Sequence, residues 1–63
     1  MSAIGTDWER WYRALKTADP KVYQDAIQGA EAITITHRVP IKAAAEYERN
    51  AVMLACQLLG VHP

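Results

Sequence analysis

The residues best suited to binding a ligand lie in one short polar stretch near the middle of the chain. They are Thr34, Thr36, His37, Arg38 and Lys42. Hydroxyls, an imidazole and two cations are groups that hold phosphate or another anion. Pro40 favours the start of a helix just after most of this stretch, and a helix N-terminus adds free N–H groups and a positive dipole end. We therefore predict a ligand-binding anion site here, the alternative interpretation being an ordinary solvated turn.

The sequence lacks the residue patterns that support catalysis or metal binding. His37, His62 and the single cysteine, Cys56, have no spacing typical of a zinc site or an activated nucleophile. Cys56 falls inside an apolar helix, where a small, buried and unreactive thiol is expected. The glycines at positions 5, 29 and 60 are too far apart to form a phosphate-binding loop. We predict no enzymatic activity, no cofactor and no metal.

Length and cysteine content together favour self-association of a single domain, residues 1–63. A chain this short buries only about 60% of its unfolded surface. Such domains are usually stabilised by disulfides, metal or oligomerisation. One cysteine cannot form an internal disulfide, and metal is poorly supported, so we predict a homo-oligomer.

Charge and hydropathy make several partners unfavourable. Seven basic and seven acidic residues cancel, so no strong field attracts nucleic acid or an anionic membrane. The sequence contains neither the apolar region of a signal peptide nor a run long enough to span a bilayer. A lone thiol fits a reducing compartment. These features predict a cytoplasmic protein with no membrane partner.

Helix signals divide the chain into three segments, at about 7–17, 20–36 and 41–59. Thr6 and Glu9 have the spacing of a capping box before the first helix. An apolar stripe follows at Trp8, Trp11, Tyr12 and Leu15, which we interpret as core and not as a base-stacking surface. Asp19-Pro20 begins the second helix, Pro40 precedes the third, and Gly60 ends it. Small residues around Gly29 suggest close approach of another backbone. The fold class is all-α.

The stretch AITITHRVP, residues 32–40, is ambiguous because Ile33 and Ile35 alternate with threonines in a strand-like period of two. A strand here would need the same strand of a second chain as its partner. Such a dimer would resemble the ribbon-helix-helix DNA binders. A continued helix satisfies each backbone group locally, and we favour it. In both interpretations, Ile35 makes its contacts with another subunit.

The second half of helix 3, AVMLACQLL, is apolar on nearly all sides and must be covered on more than one of them. We place an oligomer interface there, with Ile35 joining it; the alternative is a monomeric core. The predicted interface residues are Ile35, Val52, Met53, Leu54, Leu58 and Leu59.

Helix 3, AAAEYERNAVMLACQLLG, resembles the last helix of small phage-encoded cyclic-oligonucleotide sponges that blunt bacterial immune signalling of the CBASS type. The matching residues in helix 3 are Ala44, Tyr47, Arg49, Ala51, Val52, Met53 and Ala55, and those in helix 2 are Tyr23, Ala26 and Ile27. The resemblance implies helical hairpins that assemble as oligomers in the host cytoplasm and hold a cyclic nucleotide without cleaving it. It assigns no binding residue.

Three functions follow from these observations. The leading one is a non-catalytic oligomeric protein that sequesters a cyclic nucleotide or other phosphate-bearing signal. The alternative is an inhibitor or adaptor that binds a host protein through helix 3. Nucleic-acid binding is third, because the net charge is zero.

Overall fold

The protein consists of three α-helices. The computed structural model describes the backbone of residues 3–63 and the side chains of residues 8–63. Its elements are α1 (Ala3–Ala18), α2 (Pro20–Thr36) and α3 (Ile41–Leu59), and no strand occurs within residues 3–63. The all-helical prediction is confirmed over this range.

The start of α1 differs from the sequence prediction. The helix begins at Ala3, four residues before the expected start, so Thr6 lies inside the helix and not at its N-cap. The side chain of Thr6 lies outside the described residues, and the predicted capping box with it. The Thr-x-x-Glu spacing alone does not fix where a helix begins, because threonine and glutamate also occur within helices.

A single residue separates α1 from α2. Asp19 has an extended backbone with a φ of −152°, as expected for a residue before proline. Its carboxylate accepts a hydrogen bond from the Val22 N–H at 3.2 Å. Pro20 occupies the first turn of α2, where its missing N–H would have no helical partner. The Asp19-Pro20 pair thus ends one helix and starts the next.

The ambiguous stretch is helical as far as Thr36, which confirms the favoured interpretation. His37 donates its backbone N–H to the Ile33 carbonyl at 3.0 Å, and Val39 donates to the Thr34 carbonyl at 2.9 Å. Arg38 has a left-handed backbone with a φ of 51°. These local bonds satisfy groups that a strand would have offered to a second chain.

The core is small and lies where all three helices meet. Leu15, Val52 and Cys56 have no exposed surface, and Ala30 is 5% exposed. Half-buried apolar side chains pack around the first three of these: Trp11, Tyr12, Val22, Tyr23, Ile27, Ala55 and Val61. Leu15 and its neighbours on the predicted α1 stripe therefore do form core. Trp8, at the start of that stripe, packs under the Arg49 guanidinium, 5.5 Å from the ring centroid.

The molecule is flatter and more exposed than its length predicts. The Cα atoms span 31 × 31 × 14 Å with a radius of gyration of 11.7 Å, against about 10.6 Å for a compact chain of this length. The solvent-accessible surface is 4803 Å², whereas a folded monomer of 7.0 kDa is expected to expose about 4000 Å². The chain leaves roughly 800 Å² more surface in solvent than a compact monomer would.

Gly29 tests whether another backbone packs closely against α2. Nothing lies within 4 Å of the position that a Cβ would take there, so the described chain does not supply the close backbone approach that its small neighbours suggested. We expect Gly29→Ala to stabilise the fold by about 1 kcal/mol, because alanine favours the helix. The melting temperature, followed by circular dichroism, should then rise by about 4–8 °C for a domain of this size.

Gly60→Ala is the control for this change, because the φ of 70° at Gly60 disfavours a side chain and should lower the melting temperature. A lower melting temperature for Gly29→Ala would mean that another backbone packs against Gly29 in solution.

Candidate functional site

The predicted anion-binding residues extend from the last turn of α2, through the connecting turn, to the first turn of α3. We call Thr34, Thr36, His37, Arg38 and Lys42 the α2–α3 corner. Thr36 ends α2, His37 and Arg38 form the turn, and Lys42 lies in the first turn of α3. All except Thr34 are exposed. The corner is therefore an open surface that carries two cations.

Thr34 is a correction to the predicted donor set. Its hydroxyl donates a hydrogen bond to the Glu31 carbonyl at 2.8 Å, one turn earlier in α2. A threonine that bonds its own helix in this way has no hydroxyl proton left for a ligand. The predicted helix over 20–36 was the signal for this bond, because a threonine within a helix commonly donates its hydroxyl to a carbonyl three or four residues earlier.

The electrostatics of the α2–α3 corner are mixed. The N-terminus of α3 has no side-chain cap, so its first N–H groups remain available to an anion. The C-terminus of α2 ends a few residues earlier and presents carbonyl oxygens and the negative end of its own dipole. Because these two helix ends are neighbours, their partial charges offset each other. Anion binding at this corner stays a prediction that depends on Arg38 and Lys42.

Val52 is a correction to the predicted interface. It is completely buried against Leu15 and Cys56 inside one chain, so no part of it is left to contact a second subunit. The apolar composition of this half of α3 did not reveal which side α1 covers. Met53 is half-buried. The other four predicted interface residues are exposed: Ile35, Leu54, Leu58 and Leu59.

A partly exposed apolar row runs along α3, and sequence reasoning missed its full extent. We call Ala44, Tyr47, Ala51, Leu54 and Leu58 the α3 seam. Their spacing of 3, 4, 3 and 4 residues is that of a coiled-coil heptad. Leu54 is 57% exposed and Leu58 is 79% exposed. Exposed polar side chains on α3 lie outside this row, at Lys42, Glu46, Asn50 and Gln57. The heptad spacing was the signal that could have identified this row.

Tyr12 links α1 to α3 through a partly buried hydrogen bond. Its hydroxyl donates to Glu48 Oε1 at 2.9 Å, and its ring packs edge-to-face on Tyr23 with centroids 6.3 Å apart. Burial raises the pKa of the Tyr12 phenol well above its ordinary value, and the hydrogen bond and negative charge of Glu48 raise it further. The phenol acts here as a structural donor.

This raised pKa predicts a loss of stability in alkali. The unfolded chain ionises Tyr12 near pH 10, whereas the folded chain retains the proton to a higher pH, so the free energy of unfolding should fall as pH rises from about 10. Urea unfolding at a series of pH values measures this loss. Tyr12→Phe is the matched control, because it keeps the ring and removes the titrating group. Equal pH dependence in both proteins would contradict a linked Tyr12 proton.

Cys56 is a buried free thiol, as the sequence predicted. Its sulfur lies 3.8 Å from the Trp11 carbonyl oxygen, and burial raises the pKa of the thiol. A reactive cysteine needs the opposite setting, namely partial exposure and nearby positive charge. Cys56 is therefore suited to packing and not to nucleophilic chemistry.

Among the described residues, no cluster of three or more histidine, cysteine, aspartate or glutamate side chains is placed to hold a metal ion. None of the described helices has the length and hydropathy needed to cross a membrane. Comparisons with protein-family models, curated proteins and solved structures find no match. The resemblance of α3 to the sponge helix stays a prediction.

Proposed function

We propose that this chain is a non-catalytic binding protein that acts as a homo-oligomer joined through the α3 seam. The observation that carries this proposal is the exposure of Leu54 and Leu58 in one row of heptad spacing. Single exposed leucines are common in monomers, but a contiguous apolar row usually marks an interaction surface.

The α3 seam suits a second copy of itself. When two helices with heptad rows pair, the side chains of each helix pack into the gaps between side chains of the other. In an antiparallel pair related by two-fold symmetry, small Ala51 can lie opposite Leu54 of the second copy, with Tyr47 opposite its Leu58. The small Ala51 then leaves room for Leu54 at the centre of the contact, which supports close packing without a change in the fold.

The amount of exposed surface also supports a partner. The chain exposes roughly 800 Å² more than a compact monomer of its mass, and a second copy would cover part of this surface. A small core and a large uncovered face are what a domain of this length is expected to have when oligomerisation supplies part of its stability.

Ligand capture at the α2–α3 corner is the second part of the proposal. Ile35 and Ile41, which flank the corner, are 76% and 90% exposed. The antiparallel pairing places the end of the partner's α3 nearest to this corner, so Arg38 and Lys42 would lie at the edge of the contact. Loss of water there would strengthen their attraction for a phosphate-bearing signal such as a cyclic nucleotide.

The competing candidate is an adaptor that uses the same α3 seam on a host protein, and its support is the same exposed row. Native mass spectrometry of the protein purified from cells distinguishes the homo-oligomer from the adaptor. The homo-oligomer predicts a multiple of 7.0 kDa with any retained nucleotide. A single chain recovered with one stoichiometric host protein would favour the adaptor and contradict self-association.

The proposed nucleotide binding at the α2–α3 corner has a separate test. Cyclic dinucleotides and trinucleotides should raise the melting temperature of the wild type and leave that of Arg38→Ala unchanged. If neither class of nucleotide shifts the wild-type melt, this ligand assignment is wrong, whatever the oligomeric state.

A further inference from the structure

A cleft of about 620 Å³ lies between the second half of α1 and the segment that follows α3. Arg10, Arg13 and Thr17 line it from α1, and Val61, His62 and Pro63 line it from the other side. Ala14 and Ala18 also line it, and their small side chains leave room between the two walls. This volume lies within the range of about 300–1,000 Å³ that is typical of small-molecule sites.

The fold holds both walls in place. Arg10, Arg13 and Thr17 follow one another at three- and four-residue spacing, so they lie along one side of α1. The left-handed Gly60 turns the chain after α3, and the Val61 N–H bonds back to the Cys56 carbonyl at 2.9 Å. His62 then packs edge-to-face on Trp11 with ring centroids 6.1 Å apart. The second wall is thereby fixed against α1.

The charged side chains that line the cleft have one sign. Two arginines line it and no acidic side chain does. Among residues 8–63, whose side chains the structure describes, no carboxylate forms an ion pair with Arg13. Arg13 also lies more than one turn before the end of α1, so it is beyond the part of the helix where the negative dipole end acts strongly. A guanidinium in this position is suited to bidentate contact with a phosphate group.

The remaining surface of the cleft is mainly apolar. Val61, Pro63 and the two alanines provide nonpolar surface, and the His62 ring adds a flat face. Sites of this kind, apolar with a few convergent polar groups, bind small organic molecules. We propose that the cleft binds a small phosphomonoester with a flat organic part, with the phosphate on Arg13 and the flat part against Val61 and Pro63. This site is distinct from the α2–α3 corner and does not depend on the proposed oligomer.

The test uses three probes that separate the two halves of the ligand: adenosine 5′-monophosphate, adenosine and inorganic phosphate. Titration of the full chain, followed by amide chemical shifts, should show saturable binding of the monophosphate with shifts at residues 10–18 and 61–63. Adenosine and inorganic phosphate alone should each bind at least about tenfold more weakly, because each lacks half of the contacts. Salt should weaken monophosphate binding, since the site is open to solvent.

Two substitutions of Arg13 and one control locate the site. Arg13→Ala should weaken monophosphate binding by about tenfold or more, and Arg13→Lys should restore part of it, because lysine keeps the charge but loses the bidentate geometry. Lys21→Ala removes an exposed positive charge on α2, outside both the cleft and the α2–α3 corner, and is the control that should leave binding unchanged. Binding that Arg13→Ala leaves intact, equal binding of adenosine, or no saturable binding by the wild type would each overturn the proposal.

Discussion

A Leu15→Ala variant is expected to unfold at a much lower urea concentration than the wild type. Leu15 has no exposed surface and packs with Val52 and Cys56 where the three helices meet. Truncating a buried leucine to alanine typically costs roughly 2–5 kcal/mol, because it loses apolar burial and leaves a cavity. A domain of this length has a total stability of only about 3–9 kcal/mol. One substitution therefore removes a large share of it.

Urea unfolding followed by tryptophan fluorescence measures this loss, since Trp11 packs against the same cluster. Ile41→Ala is the control, because it also truncates an aliphatic residue of a helix but at a position that is 90% exposed. It should change the free energy of unfolding by no more than about 0.5 kcal/mol. Equal effects of the two substitutions would show that Leu15 does not lie in a packed core.

The double substitution Leu54→Glu and Leu58→Glu is expected to leave the chain folded and monomeric. Both leucines are exposed in the single chain, so their loss removes little from the core. In a two-fold pair each substitution occurs twice, so four carboxylates would be placed in an apolar contact. Burying unpaired charge costs several kcal/mol, and we expect self-association to weaken by at least about a hundredfold.

The matched control places the same charge on the polar side of the same helix. Asn50→Glu with Gln57→Glu also adds two negative charges, at exposed positions outside the α3 seam. Size-exclusion chromatography over a range of concentrations should find the control assembled like the wild type. Circular dichroism should find equal helix content in all three proteins. Assembly that survives the leucine changes, or that fails equally in the control, would contradict the α3 seam as the interface.

Local signals predicted much of the fold because they act within a few residues. Asp19-Pro20 and Gly60 mark a helix start and a helix end through backbone constraints that need no tertiary contact. The helical assignment of Ile33 and Ile35 was less certain, because their β-branched side chains favour strands. Local hydrogen bonds decided it, since no partner strand occurs within the described chain. The start of α1 was missed because Thr6 has the pattern of a cap yet lies inside a helix.

The candidate sites were predicted less completely because they depend on contacts between distant residues. Val52 and Leu54 are both apolar and two positions apart, and only the placement of α1 makes one core and the other surface. The cleft beside Arg13 exists because residues 61–63 pack back on α1, which is far away in sequence. No periodicity predicts such a contact. The α3 seam, in contrast, has a heptad spacing that the order of the residues alone displays.

Sedimentation equilibrium of the wild-type protein at micromolar concentration tests the central claim most directly, namely that copies of this chain associate through the α3 seam. We predict a particle of at least twice the 7.0 kDa mass of one chain, which dissociates on dilution. A stable particle with the mass of a single chain, at every concentration up to the micromolar range, would contradict it.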